Sequence, residues 1–362
     1  DGTRNQRAVR GGVQTLAVAS PVFTAVANQS TDAAIRVAGD ALSGDIHPSL
    51  RSTLIDDSRF VRDATDGRLV QSTGADLAAG PTVGTPGAHG LIGWGQVIGA
   101  WGHHASDGNA AGTPRSLGGV LVGGDLPLGE LTRVGVLAGY TRTSLRAPTR
   151  NASDRSDDTH LGIYAGEQRG DWRLRGGLAY SWHRFDAART VAFSGFSERL
   201  YAHGHAATTQ AFAEVGHLTS WRNVSLEPFA QAAYVRLASP GFAERGGVAA
   251  LAVQGQDDVL AYGTLGARAG TRFQLHHSLL DAHLQLGWRH GFGRVRPQAT
   301  MTLDGSAAFV VDGVPMARDT MVLDADLSLP LSRRTTLTLA YDGLLGHRSV
   351  DSAVRGGVVW RF

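Results

Sequence analysis

His103, His104, His183, His283 and His290 are the side chains best suited to act as bases in this chain. A serine hydrolase would add a Gly-x-Ser-x-Gly elbow and a zinc protease a His-Glu-x-x-His pair, and neither motif occurs. Their placement also argues against catalysis. Period-two alternation sets His183 and His283 on the charged side of extended segments, and His103 and His104 border a polar loop. The histidines read as structural or solvated, and the chain as no enzyme, with no cofactor and no metal. What recurs instead is charge at every second position. Trp172, Leu174, Gly176, Leu178, Tyr180 and Trp182 share one face of a strand, and Arg173, Arg175, Gly177, Ala179, Ser181 and His183 share the other.

The elements that carry this pattern repeat along the chain. About twelve strands alternate in this way, beginning near residues 91, 116, 132, 159, 172, 206, 224, 259, 282, 321, 337 and 354. Those near 206, 224 and 259 are placed mainly by spacing. In the third, Val134, Val136, Ala138 and Tyr140 oppose Arg133, Gly135, Leu137, Gly139 and Thr141; in the ninth, Leu284, Leu286 and Trp288 oppose Gln285, Gly287 and Arg289. In the tenth and eleventh, Asp324, Asp326 and Asp342 fall on the charged face. Short turns, such as Pro127 to Glu130, Gln168 to Asp171, His276 to Ser278 and Ser332 to Arg334, alternate with mostly long polar connections, such as Ala105 to Arg115, Ala147 to Asp158, Phe185 to Leu200, Ala238 to Asp258 and Gly293 to Pro315. That rhythm suits an antiparallel up-and-down barrel with tight turns at one end, and a two-sheet Greek-key sandwich gives no reason for it.

Composition narrows the setting. The 362 residues include 48 glycines and no cysteine, the net charge is +2, and no run approaches twenty apolar residues. Helical membrane spans are therefore excluded, and nucleic acid is not indicated. Soluble all-β and membrane β-barrel remain. In a membrane, unpaired strand edges cannot be satisfied by lipid, so the sheet must close. Arginines facing lipid at mid-depth would cost about 2–4 kcal/mol each. Arg133, Arg173, Arg175, Arg289, Asp324, Asp326 and Asp342 are therefore expected to line the lumen, with the glycines between them leaving room inside. A soluble adhesive β-domain would have to bury the apolar faces against a second sheet.

Ahead of the strands, residues 1–30 show no sustained periodicity and read as a tail or the stump of a removed region, so that the chain looks like the C-terminal part of a longer protein. Residues 31–70 are helix-forming, with Ser43-Gly44-Asp45 as a break and His47-Pro48 opening a second helix. Leu50, Leu54 and Val61 lie on one side of it, amid Arg51, Asp56, Asp57, Arg59, Arg62 and Asp63. Such a helix packs on a surface by a narrow stripe, or it sits inside a polar tube. Residues 71–90 are a low-complexity connector of Gly, Ala, Thr and Pro, and 91–362 form the barrel.

The final strand ends Arg355-Gly356-Gly357-Val358-Val359-Trp360-Arg361-Phe362. It resembles the C-terminal assembly signal of outer-membrane barrels, with Arg355 polar, Gly357 the glycine, and Trp360 and Phe362 the apolar pair. Together with Leu42-Ser43-Gly44-Asp45-Ile46-His47, Asp56-Asp57-Ser58-Arg59-Phe60-Val61-Arg62, Trp94-Gly95-Gln96, Trp101-Gly102 and Gly287-Trp288-Arg289-His290, it makes about nine tenths of the chain similar to autotransporter translocator domains of type V secretion. The resemblance implies an all-β transmembrane fold, a twelve-stranded antiparallel barrel with an N-terminal helix plugging the pore. It implies an outer-membrane anchor and export pore for an N-terminal passenger, subtilisin-like or adhesive, with the helix sealing the pore afterwards. The implied partners are outer-membrane lipids, the passenger itself, the barrel-assembly machinery and periplasmic chaperones, and the barrel is a monomer. Asp56, Asp57 and Asp63 are expected to meet lumenal arginines; alternatively those arginines pair with Asp324, Asp326 or Asp342. Some members of the family cut themselves inside the pore at a paired asparagine, and Gln29 after Asn28 argues against it here. The alternative to export is a barrel channel or barrel hydrolase.

Overall fold

The computed structural model describes residues 2–73, 90–275, 278–332 and 334–362. Twelve barrel strands, with the short strand Thr219–Trp221 paired to the start of the seventh, make one antiparallel sheet: β1 (Ile92–His104), β2 (Thr113–Leu128), β3 (Thr132–Ala147), β4 (Ala152–Arg169), β5 (Trp172–Phe193), β6 (Phe196–His217), β7 (Val224–Ser239), β8 (Gln256–Leu275), β9 (Ser278–Gly293), β10 (Asp319–Pro330), β11 (Thr335–Gly346) and β12 (Ser349–Arg361). Each pairs with its neighbours in sequence, and β12 pairs with β1 from Ile92↔Arg361 to His104↔Ser349. That last pairing closes the barrel and removes both edges.

Alternation decides which way each side chain points. Val136, Ile163, Leu178, Leu286 and Leu339 are exposed on the outer wall, while Arg133, Arg175, Arg289 and Asp342 are buried inside. From Trp172 to Trp182 the outer face of β5 is an apolar band with an aromatic at each end, about 25 Å tall for tilted strands. The inward glycines do not make the room expected of them. A Cβ on Gly135 would lie 2.3 Å from the Tyr164 ring and one on Gly177 2.8 Å from Phe212, so neighbouring wall side chains fill that space.

Two of the expected long loops are strands. β5 and β6 continue to Phe193 and Phe196 and turn in two residues, and β3 and β4 continue to Ala147 and Ala152. Above the bilayer both faces of a sheet meet water or protein, so pairing persists after the outer apolar alternation has ended. The short turn at 276–277, the residue at 333 and most of the 71–90 connector lie outside the described residues, although the last helix reaches Thr73.

Residues 2–30, expected to be part of a tail, are folded. α1 (Arg4–Val13) starts from a capping box in which Thr3 and Gln6 satisfy each other's backbone, and α2 (Pro21–Ala27) starts on a proline. Val9, Val13 and Leu16 recur at helical spacing and are buried with Val22. They pack on a small sheet built from two barrel loops, Phe242–Ala243 and Leu251–Val253 from one, Gln298–Leu303 and Phe309–Asp312 from the other. The 31–70 segment divides. α3 (Asp32–Leu42) belongs to this cap, Gly44 turns the chain at φ +61°, and only α4 (Ile46–Asp57) and α5 (Arg59–Thr73) enter the barrel. α4 begins two residues before Pro48, which leaves the proline in the first turn, where its missing N–H costs nothing.

Candidate functional site: a helix held in a charged pore

α4 and α5 follow each other with a break only at Ser58, and at 1.5 Å per residue they span about 42 Å. The side chains of Leu50, Leu54, Asp57, Arg59 and Arg62 are all buried, so the helix faces protein on every side. The surface-helix reading is thereby replaced by the tube. A helix this polar can be buried only if the wall answers each charge.

At the loop end, His47 Nε2 lies 2.7 Å from Glu244, which also accepts from Arg189 at 2.6 and 2.7 Å and from the Leu251 backbone at 2.9 Å. Burial alone would raise the Glu244 carboxyl, but the Arg189 guanidinium and the His47 contact hold it well below the usual carboxylate range. Asp45 is the opposite case: burial pushes its carboxyl up, and Arg150, 3.4 Å away, offsets this only in part. Arg51 Nε then donates to Asp258 at 2.6 Å.

At mid-height Arg59 pairs with Asp351 at 2.9 Å and with Asp63 at 3.2 Å, while Arg115 of the wall pairs with both Asp57 and Asp351. Gln210 donates to the Ser58 carbonyl at 2.9 Å and accepts from Arg62 at 3.2 Å. Asp56 lies 3.4 Å from His104, which is buried rather than solvated. At the short-turn end Arg68 donates to Asp125 at 2.6 and 3.0 Å. Asp125 also accepts from Arg133 at 2.7 Å and from Tyr164 at 3.1 Å, and Trp94 donates to the Tyr164 hydroxyl at 2.7 Å.

The polarity therefore differs from the expectation. The helix mainly supplies arginines to wall acids, and Asp57–Arg115 is the reverse case. Arg133, Arg173, Arg175 and Arg289 do line the lumen, yet the partners found for them are not Asp56, Asp57 or Asp63. Arg175 pairs with Glu214 at 2.8 Å and Glu227 at 2.5 Å, Arg173 donates to the Gly170 carbonyl at 2.6 Å, and Arg289 donates to Thr320 at 3.2 Å and stacks on Tyr262. Asp342 pairs with Arg355 at 2.7 Å. Asp324 and Asp326 line a cavity of ≈ 80 Å³ beside the helix, together with Asp63 and Asp66. Sequence reasoning passed over Arg68, Asp125, Glu214 and Asp351. Asp351 shares a face with Arg355 and was open to the same alternation; Arg175↔Glu214 needs the strand register.

Of the terminal residues, Arg355 points inward and also reaches the Asp63 carbonyl at 3.4 Å, Gly357 sits where a Cβ would be 2.6 Å from Thr338, and Trp360 and Phe362 are exposed on the outer rim. Asn28 caps α2 outside the pore. His183 bridges Asp158 at 2.7 Å and Thr208 at 2.8 Å within the wall.

A closed twelve-strand barrel, threaded from its long-loop end by its own N-terminal helix, is the architecture of outer-membrane translocator domains. The model of the autotransporter beta-domain matches residues 93–342, and the chain belongs to that family. It resides in the bacterial outer membrane, where the barrel anchors the protein and serves the export of a passenger. Two proteins of Serratia marcescens named extracellular serine protease are 35% identical over 94% of this chain, which spans 32% of their length. The translocator domain of NalP from Neisseria meningitidis superposes with a TM-score of 0.62 at 17% identity, covering 84% of this chain and 98% of that one. The beta domain of Bordetella BrkA gives 0.55 at 18% identity, covering 75% and 100%.

Proposed function

We propose that this barrel exports a passenger attached ahead of residue 1, and that α4–α5 remains afterwards as an electrostatically locked seal. The observation that carries the reading is the ladder of buried pairs, Arg51–Asp258, Arg59–Asp351 and Arg68–Asp125, one at each level of the pore. Removing the helix would take from Asp258 the arginine that pairs with it and leave Asp351 to Arg115 and Asp125 to Arg133 and Tyr164, so every level of the pore loses a buried pair and retention is the low-energy state. The cap gives export a direction. α1–α3 fold on the barrel's own external loops, and each buried Val or Leu there contributes about 1.5–3 kcal/mol. A chain that has emerged is held outside by that packing. The names of the Serratia relatives favour a serine protease as the passenger over an adhesin. The test of the seal is conductance in planar bilayers. The full chain is expected to be nearly closed and a variant lacking residues 2–71 to conduct severalfold more, and equal conductance would overturn it.

A further inference from the structure

The outer wall above the apolar band is not the same all round. On β3–β6 the outward positions just beyond the aromatic girdle are charged, and the register sets Arg142, Asp157, Arg184 and His205 side by side in one row. One step further from the membrane, Arg155, Asp186 and His203 form a second row. On the opposite flank the equivalent positions are Ser352 and Val350 of β12, Trp101 and His103 of β1, and Ser116 and Pro114 of β2, with no arginine. Arg142 donates to Asp157 at 2.6 Å, whereas Arg155 and Arg184 have no hydrogen-bond or ion-pair partner among the described residues. Three guanidinium groups thus face two carboxylates, with two histidines adjoining.

Below these rows, on the same strands, lies an apolar hollow of ≈ 770 Å³ lined by Leu161, Leu178, Tyr180, Ala211 and Tyr234 among others. Tyr180 is two residues before Trp182 and four before Arg184 on one face of β5, so groove and cationic rows are separated by about 13 Å of strand. A ligand that fits both must carry acyl chains and a compact, strongly anionic head at the height of the headgroups. Guanidinium groups match phosphate oxygens in bidentate geometry, and basic clusters at a bilayer surface are the usual cradle for charged lipid heads.

We propose that the β3–β7 outer wall is a binding site for a phosphorylated, multiply acylated glycolipid of the outer leaflet, its phosphates on Arg142, Arg155 and Arg184 and its chains in the hollow beneath. The site fixes the barrel's rotation relative to the lipid and holds the tall β5–β6 hairpin above a defined headgroup.

Native mass spectrometry of the full chain in mild detergent tests this with bisphosphorylated lipid A, its dephosphorylated form and phosphatidylglycerol as probes. The wild type is expected to retain bisphosphorylated lipid A at least tenfold more tightly than either other lipid. Arg142→Gln, Arg155→Gln and Arg184→Gln together should lower that affinity by about a hundredfold, each cation contributing about fivefold at a membrane surface. Heat-dependent gel mobility verifies that the triple variant folds, and His103→Gln on the opposite flank should leave binding unchanged. Asp157→Asn, which releases Arg142, should tighten it. Equal retention by wild type and triple variant, no preference for the bisphosphorylated lipid, or weaker binding in Asp157→Asn would each overturn the assignment.

Discussion

At the residue scale, the pore shows how a charged helix is made tolerable inside a protein. Asp125 is held by Arg68 of the helix, Arg133 of the wall and the Tyr164 hydroxyl, so its charge is shared among three donors on separate elements. Arg68→Met is expected to loosen the lower end of the plug by about 3 kcal/mol, since breaking a buried pair leaves a charge behind. A lower heat-modifiability midpoint and a higher bilayer conductance would register it, and Asp125→Asn, which takes the partner from both Arg68 and Arg133, should cost more than Arg68→Met. Glu244 yields a pH dependence. Its folded value is held below the ordinary one, so its contribution is complete above about pH 4.3 and is lost as the pH falls toward the folded value. Asp45, pushed up by burial, works in the opposite sense, being relieved by acid. Protection factors of residues 2–42, corrected for the intrinsic exchange rate at each pH, should therefore fall between pH 5 and 3 by more in the wild type than in Glu244→Gln, where only the opposing Asp45 contribution remains. Alternation identified the inward arginines from sequence alone, because the side-chain period of a strand is two whatever it pairs with. Their partners were hidden, because Arg175 meets Glu214, and Arg268 meets Glu227, only through strand register.

At the element scale, the cap is a sheet and three helices with no core of their own. Val9, Val13 and Leu42 come from the N-terminal segment, Leu251 and Met301 from two loops more than two hundred residues later. Neither half can bury its apolar residues without the other. If a protease site is placed at residues 43–44 and cut in the folded protein, the 2–42 fragment should stay bound through washing in mild detergent. Val9→Asp together with Val13→Asp should release it while leaving barrel mobility on gels unchanged. Retention of the doubly substituted fragment would mean that the cap is held by something other than this packing. The helical spacing of Val9, Val13 and Leu16 was present in the sequence, but Arg4, Arg7 and Arg10 on so short a helix masked it. The loops gave no sign of the sheet they carry, since strands of two to six residues fall below what alternation can detect.

At the scale of the whole molecule, closure is the decisive event. β1 and β12 pair along their full lengths, and Phe362 adds only one backbone bond, from its N–H to the Leu91 carbonyl at 3.2 Å, and an exposed ring at the rim. Deleting Phe362 should therefore change the unfolding midpoint of the finished barrel by less than about 1 kcal/mol, the usual worth of one hydrogen bond, while the yield of heat-modifiable barrel in the outer membrane falls severalfold. A large loss of stability with normal assembly would assign the residue to the fold instead of to a signal. Strand number, the inward or outward sense of residues on the clearly alternating strands and the alternation of short and long connections were legible in the chain's own periodicity and spacing, because lipid on one side and a polar lumen on the other impose a pattern that needs no partner to be read; the family was legible in the resemblance of particular motifs. Tertiary structure alone decided which acid meets which arginine, that the first forty residues are folded rather than trailing, and that α3 stays outside while α4 and α5 go in. Those outcomes depend on contacts between segments hundreds of residues apart, and a local pattern carries no information about what closure will bring within reach.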